Sequence, residues 1–452
     1  MSAVLVLKII FYVIVGYMAY VGLGLLLSPY IGFRSTKGAV SSGPDKNVRV
    51  LSLDTNSDAM SYRLSAIEEA KSEIILSTFK INDDKCGRAV MAALYRAAER
   101  GVKVRIVVDG LNGDLRMNSC KEFKVLSAHK NVSVRFYNPV NIFTPWRFNY
   151  CLHDKYFIID DRIYIVGGRN VNDLSLSETA KSNYDRDILI YEKEPGEGTS
   201  LSKLKGYFEG VWNLRRTKKR YWKMTRKNFQ RGTESLKESY TAPRKVNWEA
   251  ETFEAEAAGF MTNPITVGNK KPELFKEICS VMEEGDRIII ETPYIMCDFW
   301  MYRKIAQLCR DRSVDLMINS PITGNNYFGD IDYLMQRWRV HRTGVTTYEW
   351  YGTHSSHGKT VLVGENISII GSYNFDMRST YLDTEIMLFV DCPKLSARIR
   401  KPLDQIVSES LKITSDGKKT QGENCKTSKL PLPRKIAYCL LGVLDVVFRR
   451  MV

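Results

Sequence analysis

From its amino end the chain opens with an unbroken apolar run. Residues 9–27, IIFYVIVGYMAYVGLGLLL, carry no charge. Wound as a helix at ~1.5 Å per residue, the run reaches about 28 Å, the depth of a bilayer core. It is longer than a signal-peptide core and no A-x-A site follows it, so residues 1–30 are expected to be a retained membrane anchor. Beyond it the pattern turns short-period. Residues 59–71 set Leu64, Ile67 and Ala70 on one helical face, and 73–79 (EIILSTF) read as a buried strand. A second helical pattern, 86–100, stops at Gly101. Strands follow at 102–108 (VKVRIVV) and 132–137. Helix 274–282, strand 286–291, helix 299–310 and strands 314–320 and 345–349 repeat that order. Strand, helix, strand in this rhythm predicts a parallel sheet with right-handed crossovers, made twice.

The repeat also carries polar residues in frame. CLHDKYFIIDDRIYIVGGRN, from Cys151, matches HGKTVLVGENISIIGSYNFD, from His357, at a step of 204 residues. His153 and Lys155 recur as His357 and Lys359. Gly168 and Ser372 each lie 15 residues after their His, and Asn170 and Asn374 each lie 17 after. With 155–159 as a strand, His153 and Lys155 face one side. Residues 160–162 then turn and 163–166 return beside it. A lone His by a strand is usually structural, and Gly-Gly after a strand is usually a turn. Recurrence of all four residue types in register weighs against both readings. Two similar α/β halves, 48–245 and 246–412, are therefore expected to form a pseudo-twofold dimer within one chain, with both motifs at the interface.

Composition changes the picture in three places. The formal charge of +15 points to an anionic partner without choosing among nucleic acid, membrane and phosphorylated substrate. Nine Cys, odd in number and without a CxxC pair, argue against a zinc site or a disulfide framework and for free thiols in a reducing compartment. Arg34, Lys37, Lys46 and Arg49 follow the anchor against only Asp45, which places the body on the cytoplasmic side of the cell membrane. The basic stretch 215–231, flanked by Trp212 and containing Tyr221 and Trp222, reads as a solvated helical linker, or else as a surface for anionic headgroups. The acidic run 249–256 marks the crossing between halves. In the remainder, 413–452, residues 414–429 read as a flexible linker. Residues 434–452, apolar with basic ends, read as a helix at a membrane interface, or else as one packed on the body.

Two His, two Lys and two Asn suit phosphodiester chemistry. One imidazole attacks while the other donates a proton and later takes one. Ammonium and amide groups meet the non-bridging oxygens. The expected route is a covalent phosphohistidine. No cofactor is implied and no metal site is expected, the Lys pair supplying the positive charge. Each ring needs a group on its other nitrogen, and Asp187 and Glu385, downstream of the two Asn, are the candidates.

At these residues the chain resembles the phospholipase D superfamily, whose mark is a doubled His-x-Lys-x4-Asp motif. His153, Lys155 and Asp160 match it in full. His357 and Lys359 match, but Gly364 stands where the second Asp belongs, with Glu365 beside it as a possible replacement. Asp83-Asp84, Arg100-Gly101-Val102, Tyr137-Asn138-Pro139, Pro293-Tyr294 and 371–379 extend the likeness over residues 50–412, most closely to membrane-anchored bacterial cardiolipin synthases. That resemblance implies a phosphatidyltransferase joining two phosphatidylglycerol molecules and releasing glycerol, with His153 as nucleophile, His357 as acid and base, and Asp160 in support. Rival readings are a hydrolase of phospholipid or nucleic acid and a lipid-binding scaffold. The anchor and apolar tail argue against nucleic acid as partner. The intact His, Lys and Asn pairs argue against the scaffold.

Overall fold

The computed structural model describes residues 3–451 and shows the same sheet built twice. In the first half, β1 (Val48–Leu53), β2 (Glu73–Thr78), β3 (Lys103–Asp109), β4 (Val132–Tyr137), β5 (Tyr156–Ile159), β6 (Ile163–Gly167) and β7 (Asp187–Glu192) lie in the order β4-β3-β2-β5-β6-β7-β1. In the second, β8 (Ala257–Thr262), β9 (Arg287–Glu291), β10 (Ser313–Asn319), β11 (Thr346–Trp350), β12 (Thr360–Val363), β13 (Ile367–Gly371) and β14 (Ile386–Asp391) repeat it as β11-β10-β9-β12-β13-β14-β8. Short edge strands, Thr217–Lys219 and Phe253–Glu254 in one sheet and Ser410–Ile413 and Lys419–Gln421 in the other, bring each to nine. The chain leaves the first sheet at Glu254 and enters the second at Ala257.

Within these two sheets, among the described residues, only β2-β3-β4 and β9-β10-β11 pair in parallel. Helices Lys85–Glu99 and Lys121–Ala128, and later Phe299–Leu308 and Tyr327–Arg342, supply those crossovers. The other strands of each seven run antiparallel. The reason is the connection: three residues between Ile159 and Ile163 allow a hairpin and no crossover. Alternate residues of the hairpin strands face the partner half. Ile158, Tyr164, Val166 and Ile188 share one buried apolar layer with Leu362, Ile370, Ile386 and Leu388. Fully buried Arg186 crosses this seam. It donates to Asp54 Oδ1 of its own half at 2.7 Å and to Glu291 Oε2 and Thr360 Oγ1 of the other, each at 2.7 Å.

Beyond the sheets, mixed where they were expected parallel, three expectations change. The stretch 215–231 is helical only from Arg226: before that, Thr217–Lys219 is an edge strand on β4, and Trp222 packs its ring 5.6 Å from Phe123. Residues 414–429 are not wholly flexible, because Lys419–Gln421 pairs with Ser410–Ile413. Glu365 does not replace the missing Asp of the second motif: it is exposed and pairs with Arg400 at 3.4 Å.

Asp160 itself sits at the far end of β5 from His153, with φ 52°, and its carboxylate accepts from the backbone N–H of Lys71, Ser72 and Glu73 at 2.8–2.9 Å. Gly364 takes the same left-handed turn, φ 58°, at no steric cost and without the carboxylate. Asp160 therefore ties the entry of β2 to the hairpin and does not touch the catalytic end. Replacing Asp160 with Ala should lower stability by about 1–3 kcal/mol through its orphaned amides, while turnover per folded molecule holds. Denaturation in detergent alongside an activity assay checks this. Lost turnover at unchanged stability would contradict it.

Candidate active site

His153 and His357 are carried into the seam by extended segments just ahead of β5 and β12. Single parallel bridges fix both segments to the opposite half: Leu152 pairs with Thr384, and Tyr184 with Ser356. Backbone bonds complete the tie, His153 N to Thr384 O at 3.2 Å and His357 N to Tyr184 O at 2.6 Å. The hairpin pairing puts Thr384 and Tyr184 in equivalent places, so each half holds the other's His segment in the same way.

The next residue in each case is a buried carboxylate. Glu385 Oε1 meets His153 Nδ1 at 2.8 Å, and Asp185 Oδ2 meets His357 Nδ1 at 2.6 Å. Both contacts cross between halves. With Nδ1–H donated to the carboxylate, each ring keeps Nε2 for a substrate. Both carboxylates are fully buried, whereas the imidazoles retain 13% and 27% exposure.

Glu385 is where the sequence reading put it, but Asp187 is not the second partner. Its Oδ2 accepts from Arg63 at 2.8 Å and Arg169 at 3.2 Å, which commits it to the interior of its own half. Asp185 takes the role. The connection from Asn170 to that carboxylate is 15 residues long, against 11 from Asn374 to Glu385. The constant step of 204 breaks there, so spacing alone could not find Asp185. The usable signal was strand register, since Gly167 pairs with Asp187 as Gly371 pairs with Met387.

Gly168 and Ser372 occupy matching positions and do opposite things. A Cβ on Gly168 would lie 2.4 Å from Asp185 Oδ1. Only a bare Cα lets that carboxylate in. Ser372 instead donates its hydroxyl to Glu385 Oε2, and Ser379 donates to Oε1 at 2.6 Å.

Lys155 and Lys359 are buried and fold back on the carbonyls of His153 and His357, at 2.6 and 2.7 Å. Each ammonium keeps further N–H donors for an anion. Asn170 Oδ1 and Asn374 Oδ1 are buried without a hydrogen-bond partner, so both amides present an unused polar end. A half-turn about the last bond offers N–H in its place. Phe79, which the sequence reading did not single out as a site residue, sets its ring edge-on to His153 at 5.1 Å. Donor atoms of Asp83, Cys120 and Glu122 come within 4.8 Å of one another outside these pairs. There Asp83 is engaged by Arg88 at 2.6 Å and Glu122 by the Ser235 hydroxyl at 2.6 Å.

Electrostatics follow from burial and the ammonium pair. Burial, with Lys359 next, pushes His357 down to about 4, and burial and Lys155 hold His153 well below its ordinary value. Both rings are thus neutral near pH 7. Burial draws Lys155 down to about 7 and Glu385 up to about 7. Against burial, the His357 ring and Lys359 hold Asp185 down to about 2. The site sets two neutral imidazoles, braced by carboxylates, beside two buried Lys, which suits nucleophilic attack on a phosphodiester.

The profile of the family described as cardiolipin synthase, phospholipase D-like domain, matches residues 64–212 and 278–407, one segment in each half. The chain belongs to that family within the phospholipase D superfamily. It is 25% identical over 423 residues to an uncharacterized protein of Helicobacter pylori, covering 82% of this chain and 81% of that one. It is 27% identical over 340 residues to the major cardiolipin synthase ClsA of Bacillus subtilis, covering 74% and 63%. It is 26% identical over 377 residues to cardiolipin synthase 1 of Bacillus cereus, covering 82% and 69%. In fold it is similar to the phosphatidylserine synthase of Haemophilus influenzae, with a TM-score of 0.64 at 15% identity, covering 96% of this chain and all of that one.

The geometry separates two neighbouring acids. Asp185→Asn should lower kcat about 100- to 10,000-fold by unsettling the His357 tautomer, with stability little changed. Asp187→Asn should cost stability, about 3–5 kcal/mol for a broken buried pair, with turnover per folded molecule retained. Equal kinetic losses would refute this assignment. For pH, Lys155 loses its proton above about 7 and Glu385 gains one below about 7. The kcat/KM profile should therefore be a bell centred near neutrality, and Lys155→Arg should move its alkaline limb upward. A profile flat over about three pH units would sink that reading.

Proposed function

We propose that the chain is a phosphatidyltransferase that condenses two phosphatidylglycerol molecules into cardiolipin and glycerol. The observation that carries the reading is the pair of imidazoles, each braced by the opposite half's carboxylate beside two Lys. Its setting supports a lipid substrate: an amino-terminal helix, Ala3–Leu27, long and apolar enough to cross a membrane, and Bacillus relatives that bear the cardiolipin synthase name.

In the first step His153 Nε2 attacks phosphorus, the phosphorus–oxygen bond to the headgroup glycerol breaks, and His357, drawn into its imidazolium form by the anionic phosphodiester and the ionised Asp185, protonates the leaving oxygen from Nε2. Phosphatidyl-His153 remains. In the second, His357 takes the proton from the headgroup hydroxyl of another phosphatidylglycerol. That oxygen attacks phosphorus and the phosphorus–nitrogen bond breaks, leaving cardiolipin. The ring that shuttles protons must bear charge, and an Asp185 held ionised favours His357 for that duty. The basic residues after the helix support a body on the cytoplasmic face.

Labelled phosphatidylglycerol incubated with the purified protein should give cardiolipin and glycerol on thin-layer analysis. Phosphatidate would show a hydrolase, and no turnover would refute both. Labelled lipid should remain covalently trapped on His357→Ala and be absent from His153→Ala. Label on His153→Ala would reverse the assignment.

A further inference from the structure

The body meets the amino-terminal helix partway along its length. Tyr17 Oη donates to Ile142 O at 2.8 Å, and Tyr20 Oη donates to Phe143 O at 2.7 Å. The Tyr20 ring stacks edge-on to Trp146 at 4.8 Å. A Cβ on Gly24 would lie 2.3 Å from the Trp146 ring, so that glycine is what lets the two surfaces close. The helix runs Ala3–Leu27, and Tyr17 is ten residues, about 15 Å, from its end. Of the described helix, 14 residues, 3–16, about 21 Å, precede Tyr17. That is too short to cross a hydrocarbon core of about 30 Å. If the helix spans a bilayer, the segment bonded to Tyr17 and Tyr20 lies within a leaflet.

That segment is built for such a place. Ile142 and Phe143 are 66% and 75% exposed. The two carbonyls bonded by the Tyr hydroxyls are polar groups that hydrocarbon could not satisfy.

The helix Leu432–Phe448 offers a second apolar surface joined to the first. Leu432, Ile436, Leu440, Val443 and Val447 recur on one side, all exposed. Its other side is docked: Arg434 pairs with Asp330 at 3.0 Å and Arg449 with Asp332 at 2.8 Å. Just past its end, Arg450 lies 4.9 Å over Tyr30, which follows the amino-terminal helix.

This helix also links the surroundings of the two His. Arg434 donates to Ile322 O and Gly324 O, close in sequence to Asn319, whose amide bonds Ser356 O beside His357. At the far end Met451 O accepts from Arg378, whose guanidinium also reaches Asn149 O and Cys151 Sγ near His153.

We propose that the 140–146 segment and the apolar side of Leu432–Phe448 are both immersed in the leaflet entered by the amino-terminal helix. The catalytic body is then half-sunk rather than tethered, and the two-His centre takes its phospholipid laterally from the bilayer. The lateral entry rests on the lipid substrate proposed above; the immersion does not.

The test uses the full chain in nanodiscs of phosphatidylglycerol and phosphatidylethanolamine, with a photoreactive benzophenone side chain at position 143, 443 or 161. Asp161 is the control, 68% exposed at the hairpin turn remote from His153. Illumination should add one phospholipid mass at 143 and at 443, at least fivefold above the yield at 161. No adduct at either of the first two positions, or equal labelling at 161, would overturn the proposal. Cross-linking needs no turnover, so an inactive protein still reports, and failure of the enzymatic reading stays distinguishable.

Discussion

Two carboxylates buried against imidazoles of the opposite half are the constraint on which this structure turns. A buried carboxylate is costly unless its oxygens are met. Glu385 is met by His153, Ser372 and Ser379, and Asp185 by His357 and the Arg186 N–H. Because the contacts are reciprocal, neither half contains a complete site. Closing the seam and assembling the chemistry are one event. The shared apolar layer and Arg186, spanning Asp54 and Glu291, fix the register to the tolerance a hydrogen bond needs.

The two copies have drifted apart within one frame. Gly358 makes room for Glu291, a Cβ there falling 2.4 Å from Oε1, and so for the ion pair with Arg186. Its counterpart Asp154 instead accepts from the Tyr207 hydroxyl at 2.9 Å, with its pKa raised by burial to about 7. Arg169 organises Leu53, Asp54, Asp185 and Asp187 in the first half, where Tyr373 in the second merely bonds Thr380. The result is one firmly ionised bracing carboxylate and one poised near neutrality. A symmetric scaffold thereby gains two unlike imidazoles, as the proposed two-step transfer requires.

The charge of the chain also finds its place. Two Lys sit where an anion would be held, and several Arg are spent inside on Asp54, Asp187, Asp330 and Asp332. Those pairs cancel, so the +15 balance is carried by the basic residues left over, while the buried Arg serve as counter-charges to an acidic framework seen only in the folded chain.

What the sequence determined was local or periodic. The apolar run at the amino end, the strand–helix rhythm and the twice-repeated His, Lys, small residue and Asn were all legible, because each is set by neighbours in the chain. Glu385 was found by counting onward from Asn374. Asp187 was not the partner, because the loop before it is four residues longer in the first copy and only strand pairing shows that Asp185 is the equivalent. The parallel sheet expected from the strand–helix rhythm proved mixed, since that rhythm speaks only for strands joined through a helix and the rest are decided by pairing. Asp160 looked like part of the site by its spacing, yet a four-residue strand carries it to the opposite edge. The crossing of each carboxylate to the other half's imidazole was left to the tertiary structure. It is a contact over 172 and 232 residues of sequence, set by how two surfaces pack, and no local pattern encodes it.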